Sequence, residues 1–138
     1  MSRQEAIDFL GVGSRTGKLA TASATGAPHV APVWFVVDGT DLVFTTHETT
    51  VKGRNLAANP RAALTVDVSE FPYDFVVARG PVSLTRAAPD LLDWATKLAA
   101  RYVPARLARE YGERNAVDGE LVCRLRIEHI SGIADIAL

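Results

Sequence analysis

Short runs of alternating apolar and polar residues, cut by turn residues at close intervals, limit this chain more than any other feature. KLATASA (Lys18–Ala24) and PHVAPVWFVVD (Pro28–Asp38) flank TGA, a small-residue connection suited to a hairpin. DGT then leads into DLVFTT, and AALTVDV (Ala62–Val68) begins after Asn59 and Pro60 have stopped a short helix. Beyond an FPYD loop, DFVVARGPVSLT is a long strand whose Gly80 and Pro81 predict a bulge or bend. The tail returns to strands as ELVCRLRIEHI, a break at Gly132, and IADIAL. Two helical stretches frame these strands. Ser2 caps a helix running through Leu10 and ended by Gly11 and Gly13; from Pro89 to about Tyr111, Leu91, Leu92, Ala95, Leu98, Ala99, Tyr102 and Val103 recur at helical spacing, with Pro104 breaking the pattern. Hairpin-linked strands with one short helix and one helical excursion do not alternate as a doubly wound sheet does. The expectation is a mainly β fold in a single domain over residues 1–138, a small antiparallel barrel with helices.

The short helix carries the chemistry. TTHETTVKGRNL, Thr45–Leu56, reads as a strand end, a hydroxyl-rich turn and a basic helix. Thr45, Thr46, Thr49 and Thr50 place hydroxyls where the helix begins, and Lys52 and Arg54 add positive charge in its first turns. Amides at a helix start lack intrahelical partners and the dipole is positive there, so this composition fits an anion, with a cofactor phosphate as the natural guest. Ordinary helix capping and solvated surface cations explain the same residues without a ligand. On an ideal helix Lys52 and Asn55 share a face while Arg54 projects nearer Thr50, which ranks Lys52 above Arg54.

Composition narrows the alternatives. A formal charge of -1 and a pI near 6.3 argue against a general attraction to nucleic acid or anionic membrane. The N-terminal MSRQEAIDFL lacks the apolar core and cleavage pattern of a signal peptide, and no stretch has bilayer-spanning length, so a soluble cytoplasmic protein is expected. A single cysteine, Cys123, permits no internal disulfide and reads as a buried structural thiol. His29, His47 and His129 form no close-spaced ligand pair, and zinc is not indicated. No dinucleotide fingerprint, Walker loop, nucleophile elbow or zinc-protease helix is present, so any chemistry is expected to come from a bound cofactor.

Taken together, LATAS, TGAPHVAPVWFVVDG, FTT, KGRNLAANPRAALTVD and VARGPVSL resemble the split-barrel flavin-binding superfamily typified by pyridoxamine 5'-phosphate oxidase, and within it the actinobacterial deazaflavin-dependent (coenzyme F420) branch. The KxRNL…NPR element, Lys52, Arg54, Asn55, Leu56, Asn59, Pro60 and Arg61, is a fairly specific marker. The resemblance implies a six- to seven-stranded antiparallel split β-barrel and a homodimer with cofactor sites at the subunit interface. It also implies an F420-dependent oxidoreductase transferring hydride between reduced F420 and a small conjugated organic substrate. Lys52 and the Thr49/Thr50 turn would contact the phosphate, Thr45 and Thr46 would approach the ring, and Pro32, Val33 and Trp34 would form its wall. One departure stands out. Flavin-mononucleotide oxidases usually carry Ser-Arg-Lys at this turn, whereas this chain has Thr50, Val51 and Lys52. That weakens an FMN-dependent oxidase or reductase, which remains the alternative along with a non-catalytic flavin, F420 or haem binder.

Several residues have two readings. Arg54 and Arg61 are cofactor-tail contacts or solvated cations, and Trp34 is core, dimer interface or ring platform. Tyr73 reaches over the site from the partner chain or packs on its own barrel. His47 and His29 are the histidines available to accompany hydride transfer, although a turn or sheet-edge histidine is commonly only structural. Asn55 and Asn59 read as structural, satisfying carbonyls and preparing the turn before Pro60.

Overall fold

A computed structural model describes all residues from 1 to 138. Eight strand segments form one antiparallel sheet: β1 (Gly17–Ala22), β2 (Pro28–Val33), β3 (Val36–Asp38), β4 (Asp41–His47), β5 (Arg61–Asp67), β6 (Phe75–Thr85), β7 (Glu120–Arg126) and β8 (His129–Ile133). The hydrogen-bonded path runs β2-β1-β5-β6-β7-β4-β3, with β8 added to β6. Four helices complete the chain: α1 (Arg3–Leu10), α2 (Val51–Ala58), α3 (Leu91–Tyr102) and α4 (Ala108–Asn115). The mainly β split barrel expected from the sequence is the observed architecture.

Curling of the sheet depends on β6. Its first part pairs with β5 from Phe75 to Pro81, and its last part pairs with β7 from Val82 to Thr85. The change of partner falls at Gly80 and Pro81. A Cβ on Gly80 would collide with the Arg126 carbonyl, so the close crossing there requires glycine. Leu19, Phe35, Phe44, Leu64, Val66, Val76, Leu121 and Leu125 fill the interior, and α1 closes one end with Ala6, Ile7 and Leu10. Ser2 caps α1, its hydroxyl accepting from the Glu5 amide.

Three boundaries differ from the sequence reading. The run Pro28–Asp38 is two strands, because the Phe35 backbone leaves the ladder: its N–H donates to the Tyr102 hydroxyl, and its carbonyl accepts from Arg101 and Tyr102. The tail splits after Arg126, so that His129–Ile133 returns along β6, and Gly132 lies inside that strand, where a Cβ would crowd Val76. IADIAL contributes only its first residue to a strand. Pro104 ends the first helix of the excursion as expected, and a 3-10 turn at Ala105–Leu107 precedes α4.

Helix α2 is anchored by one face. Leu56 is wholly buried, and Asn55 donates through Nδ2 to the Thr21 hydroxyl of β1 at 3.1 Å, while Arg54 faces solvent. Leu56→Ala is expected to destabilise the protein by about 2–5 kcal/mol, and Arg54→Ala by no more than about 0.5 kcal/mol, as read from urea unfolding midpoints. Cys123 is fully buried, and burial pushes its thiol pKa up to about 12. Native protein at pH 8 should resist thiol-directed disulfide reagents and react once unfolded.

Candidate functional site

The turn after β4 is built around one hydroxyl. Thr50 Oγ1 donates to the His47 carbonyl at 2.8 Å and accepts from the Gly53 amide at 3.0 Å, and Thr46 Oγ1 lies 2.8 Å away. With its one proton given to His47, Thr50 accepts from Thr46, and its capacity is used within the chain. Gly53 is required beneath it, since a Cβ there would strike the same His47 carbonyl. Capping at Gly53 leaves the Val51 and Lys52 amides as first-turn donors with no capping partner. Thr49 is engaged as well. Its hydroxyl lies 2.8 Å from His47 Nδ1, which also accepts from the Thr49 amide, so His47 Nε2 donates to the Asp118 carbonyl at 3.0 Å.

A cavity of about 220 Å³ opens beside this turn, lined by Pro32, Val33, Trp34, Thr45, Lys52, Ala95, Leu98, Asn115 and Glu120. Five of the sequence-predicted residues, Pro32, Val33, Trp34, Thr45 and Lys52, therefore meet at one place. Lys52 has no ion-pair partner in the chain, so its charge is available to a ligand. Trp34 stacks on Tyr102 with ring centroids 5.1 Å apart and planes 6° from parallel. Tyr102 is fastened in turn to Phe35 and Arg15 backbone, and Arg101 donates to the Leu10, Gly13 and Phe35 carbonyls. Helix α3 thus holds the indole wall in place.

The remaining predicted residues lie elsewhere within one chain. Thr46 is buried under the turn, and Thr49 and Thr50 are occupied as described, so what the turn offers an anion is its amides and Lys52 rather than those hydroxyls. Arg54 points to solvent. Arg61 pairs with Glu128 at 2.8 Å and borders a separate cavity with Arg79 and His129. Tyr73 sits in the loop before β6 at φ 68°, edge-on to Phe71, beside Lys18, Asp67 and Asp74. His29 has a buried Nδ1 without a hydrogen-bond partner.

Glu120 and Asn115 enter the site without having been singled out in the sequence, and Ala95 and Leu98, read there only as the apolar face of a helix, join them. Glu120 heads β7 and is paired in register with His47. Its partial burial raises the carboxyl pKa, a shift opposed by the Thr45 hydroxyl and by the charges of His47 and Lys52. The only sequence signal was a charged residue at the head of an apolar strand; which strand would lie beside it was not written there.

The pocket joins an unpaired cation at a helix start, an aromatic-apolar wall and one carboxyl, a set suited to an anionic ligand with a flat ring. Known proteins share this fold. Rv2991 of Mycobacterium tuberculosis, described as a conserved hypothetical protein, superposes with a TM-score of 0.80 at 20% identity, over 98% of this chain and 86% of the other. A protein named F420 reductase gives 0.68 at 29% identity, over 90% and 94%. HutZ, the haem storage protein of Vibrio cholerae, gives 0.70 at 17%, over 95% and 90%. Residues 3–133 match the pyridoxamine 5'-phosphate oxidase family, and with all the barrel strands inside that span the chain belongs to it.

Proposed function

We propose that the protein is an F420-dependent oxidoreductase, transferring hydride between reduced F420 and a small conjugated organic substrate. The observation that carries this reading is Lys52: a cation without a partner, at a helix start, in a cavity walled by Pro32, Val33 and Trp34. When bound, the deazaflavin supplies the hydride. Lys52 and the Val51 and Lys52 amides hold the phosphate, and β2 and Trp34 flank the ring and exclude water from it. Thr45 offers a hydroxyl at the ring side of the cavity. The similarity to a protein named F420 reductase supports the choice of cofactor. The exposed Val51, where FMN oxidases of the family usually place arginine, supports it further. FMN is the second reading, favoured by the family match itself.

We place the working unit as a homodimer in the cytoplasm. A cavity of about 220 Å³ falls below the roughly 300–1,000 Å³ typical of sites that enclose a small molecule, so one chain supplies part of the enclosure. Pro32 connects the cavity to the outer face of β2 and β1, where Val30 is 66% exposed opposite Ala20. A second copy seated on that face would complete the wall, with Tyr73 and Arg61 available from the partner.

Titration of the purified protein with F420 and with FMN, read by cofactor fluorescence, tests the cofactor. F420 quenching is expected, and FMN binding without F420 binding would reverse the order. Lys52→Ala should weaken binding roughly ten- to a hundredfold, the loss of a charge-assisted contact of about 1.5–3 kcal/mol; unchanged affinity removes Lys52 from the site. Sedimentation should give the mass of two 14.8 kDa chains, and a monomer at working concentration would refute the shared enclosure.

A further inference from the structure

Glu120 is the one carboxyl in the cavity that also holds Lys52, and no ion pair within the chain satisfies it. It lies at the wall between this cavity and a neighbouring one lined by Glu48, Arg86, Asp118 and Leu121. Its position is set by the β4–β7 register, which places it opposite His47, and by Gly119, whose φ of +86° turns the chain into β7 against the His47 ring. An anion that settles on Lys52 therefore arrives beside a second negative group.

We infer that Glu120 is the proton-carrying residue of the site, taking up a proton as the anionic cofactor seats on Lys52 and holding it at the carboxyl next to the ring wall. This inference rests on the cofactor reading above and adds a role that no motif in the sequence marks. Two effects act in one direction when the ligand binds. The Lys52 charge that favoured the Glu120 carboxylate is shared with the phosphate, and the phosphate adds a like charge; both favour the neutral acid. Partial desolvation already favours that form in the free protein.

The charged and titratable groups around it are few. From β4 come His47, with Thr45 beside it; from α2, Lys52; from the preceding turn, Asp118; from β7 itself, Cys123, whose thiol stays protonated; and across the adjoining cavity, the Glu48–Arg86 ion pair. Helix α4 contributes the neutral Asn115 and α3 the apolar Ala95 and Leu98.

The sign follows from linkage. A carboxyl whose pKa is higher with ligand than without makes the complex bind more protons, so affinity is greatest at low pH. Affinity falls about tenfold per pH unit between the two pKa values and is level above the higher one. A proton held at Glu120 is also the one a hydride acceptor needs. A bound reduced deazaflavin would supply the hydride for the new C–H bond, and the Glu120 proton would neutralise the charge left on the conjugated carbonyl oxygen. The Glu120 carboxylate would then be reprotonated from solvent, which also receives the ring proton released as the cofactor loses two electrons.

The experiment measures F420 and FMN dissociation constants from pH 5 to pH 8.5 for the wild type and for Glu120→Gln, which keeps the shape and His47 but cannot titrate. Ionisations of the ligand and of groups other than residue 120 are common to both proteins and cancel in the ratio. That ratio, wild type over variant, should rise with pH across this range, one pKa unit of coupling being tenfold in affinity. Calorimetry of the wild type in two buffers of unlike ionisation enthalpy should show net proton uptake within the same window, absent in Glu120→Gln. A ratio that stays constant with pH, or equal proton uptake in both proteins, overturns the assignment while leaving cofactor binding intact. Failure of both F420 and FMN to bind at any pH overturns the cofactor reading and this inference together.

Discussion

Thr50 is the joint on which the site turns. Its side chain closes the β4 end onto the start of α2 by giving its proton to the His47 carbonyl and receiving those of Gly53 and Thr46. Gly53 lets the helix approach that carbonyl without a Cβ in the way, and Leu56 and Asn55 clamp the next turn to the barrel. Lys52 leaves the helix between a fixed cap and a buried leucine and lines the cavity that β2, β4 and β7 share.

The barrel and the helical excursion then divide the work. Strands supply Thr45, Glu120, Pro32 and Val33 from a sheet whose register is held along the whole of β4 and β7. Arg124 reinforces that pairing by bridging to Asp38 and Asp41 at 2.9 and 3.0 Å, fastening the β3–β4 hairpin to β7. Helix α3 covers the same strands, and the Arg101 and Tyr102 contacts bind it to the irregular Trp34–Phe35 step. That step breaks the strand and turns the indole toward the cavity, so the interruption of β2 and the placement of the ring wall are one event.

The pocket's cation is left unpaired by the fold rather than by composition. The chain as a whole is close to neutral, and its other cations are largely consumed: Arg61 by Glu128, Arg86 by Glu48, Arg124 by two aspartates, Arg101 by carbonyls. Lys52 shares its cavity with Glu120 yet forms no ion pair with it. A near-neutral protein can thereby present a local anion site without a general attraction for polyanions.

Much of this was legible in the residues alone. Period-two runs, hairpin turns and the Gly80–Pro81 bend are local signals, so the barrel, the short helix and the break at Pro104 follow from chain chemistry over a few neighbours. The Lys52 turn was readable for the same reason, since a cap, a glycine and a cation lie within four residues. Three matters lay beyond such reading: the splitting of Pro28–Asp38, the return of β8 onto β6, and the presence of Glu120 and Asn115 in the cavity. Each depends on a partner distant in the chain, Tyr102 for Phe35, Arg79 for His129, the β4 turn for Glu120. Local pattern specifies which residues can face inward; only packing decides which of them meet, because register and helix docking are set by the whole core at once.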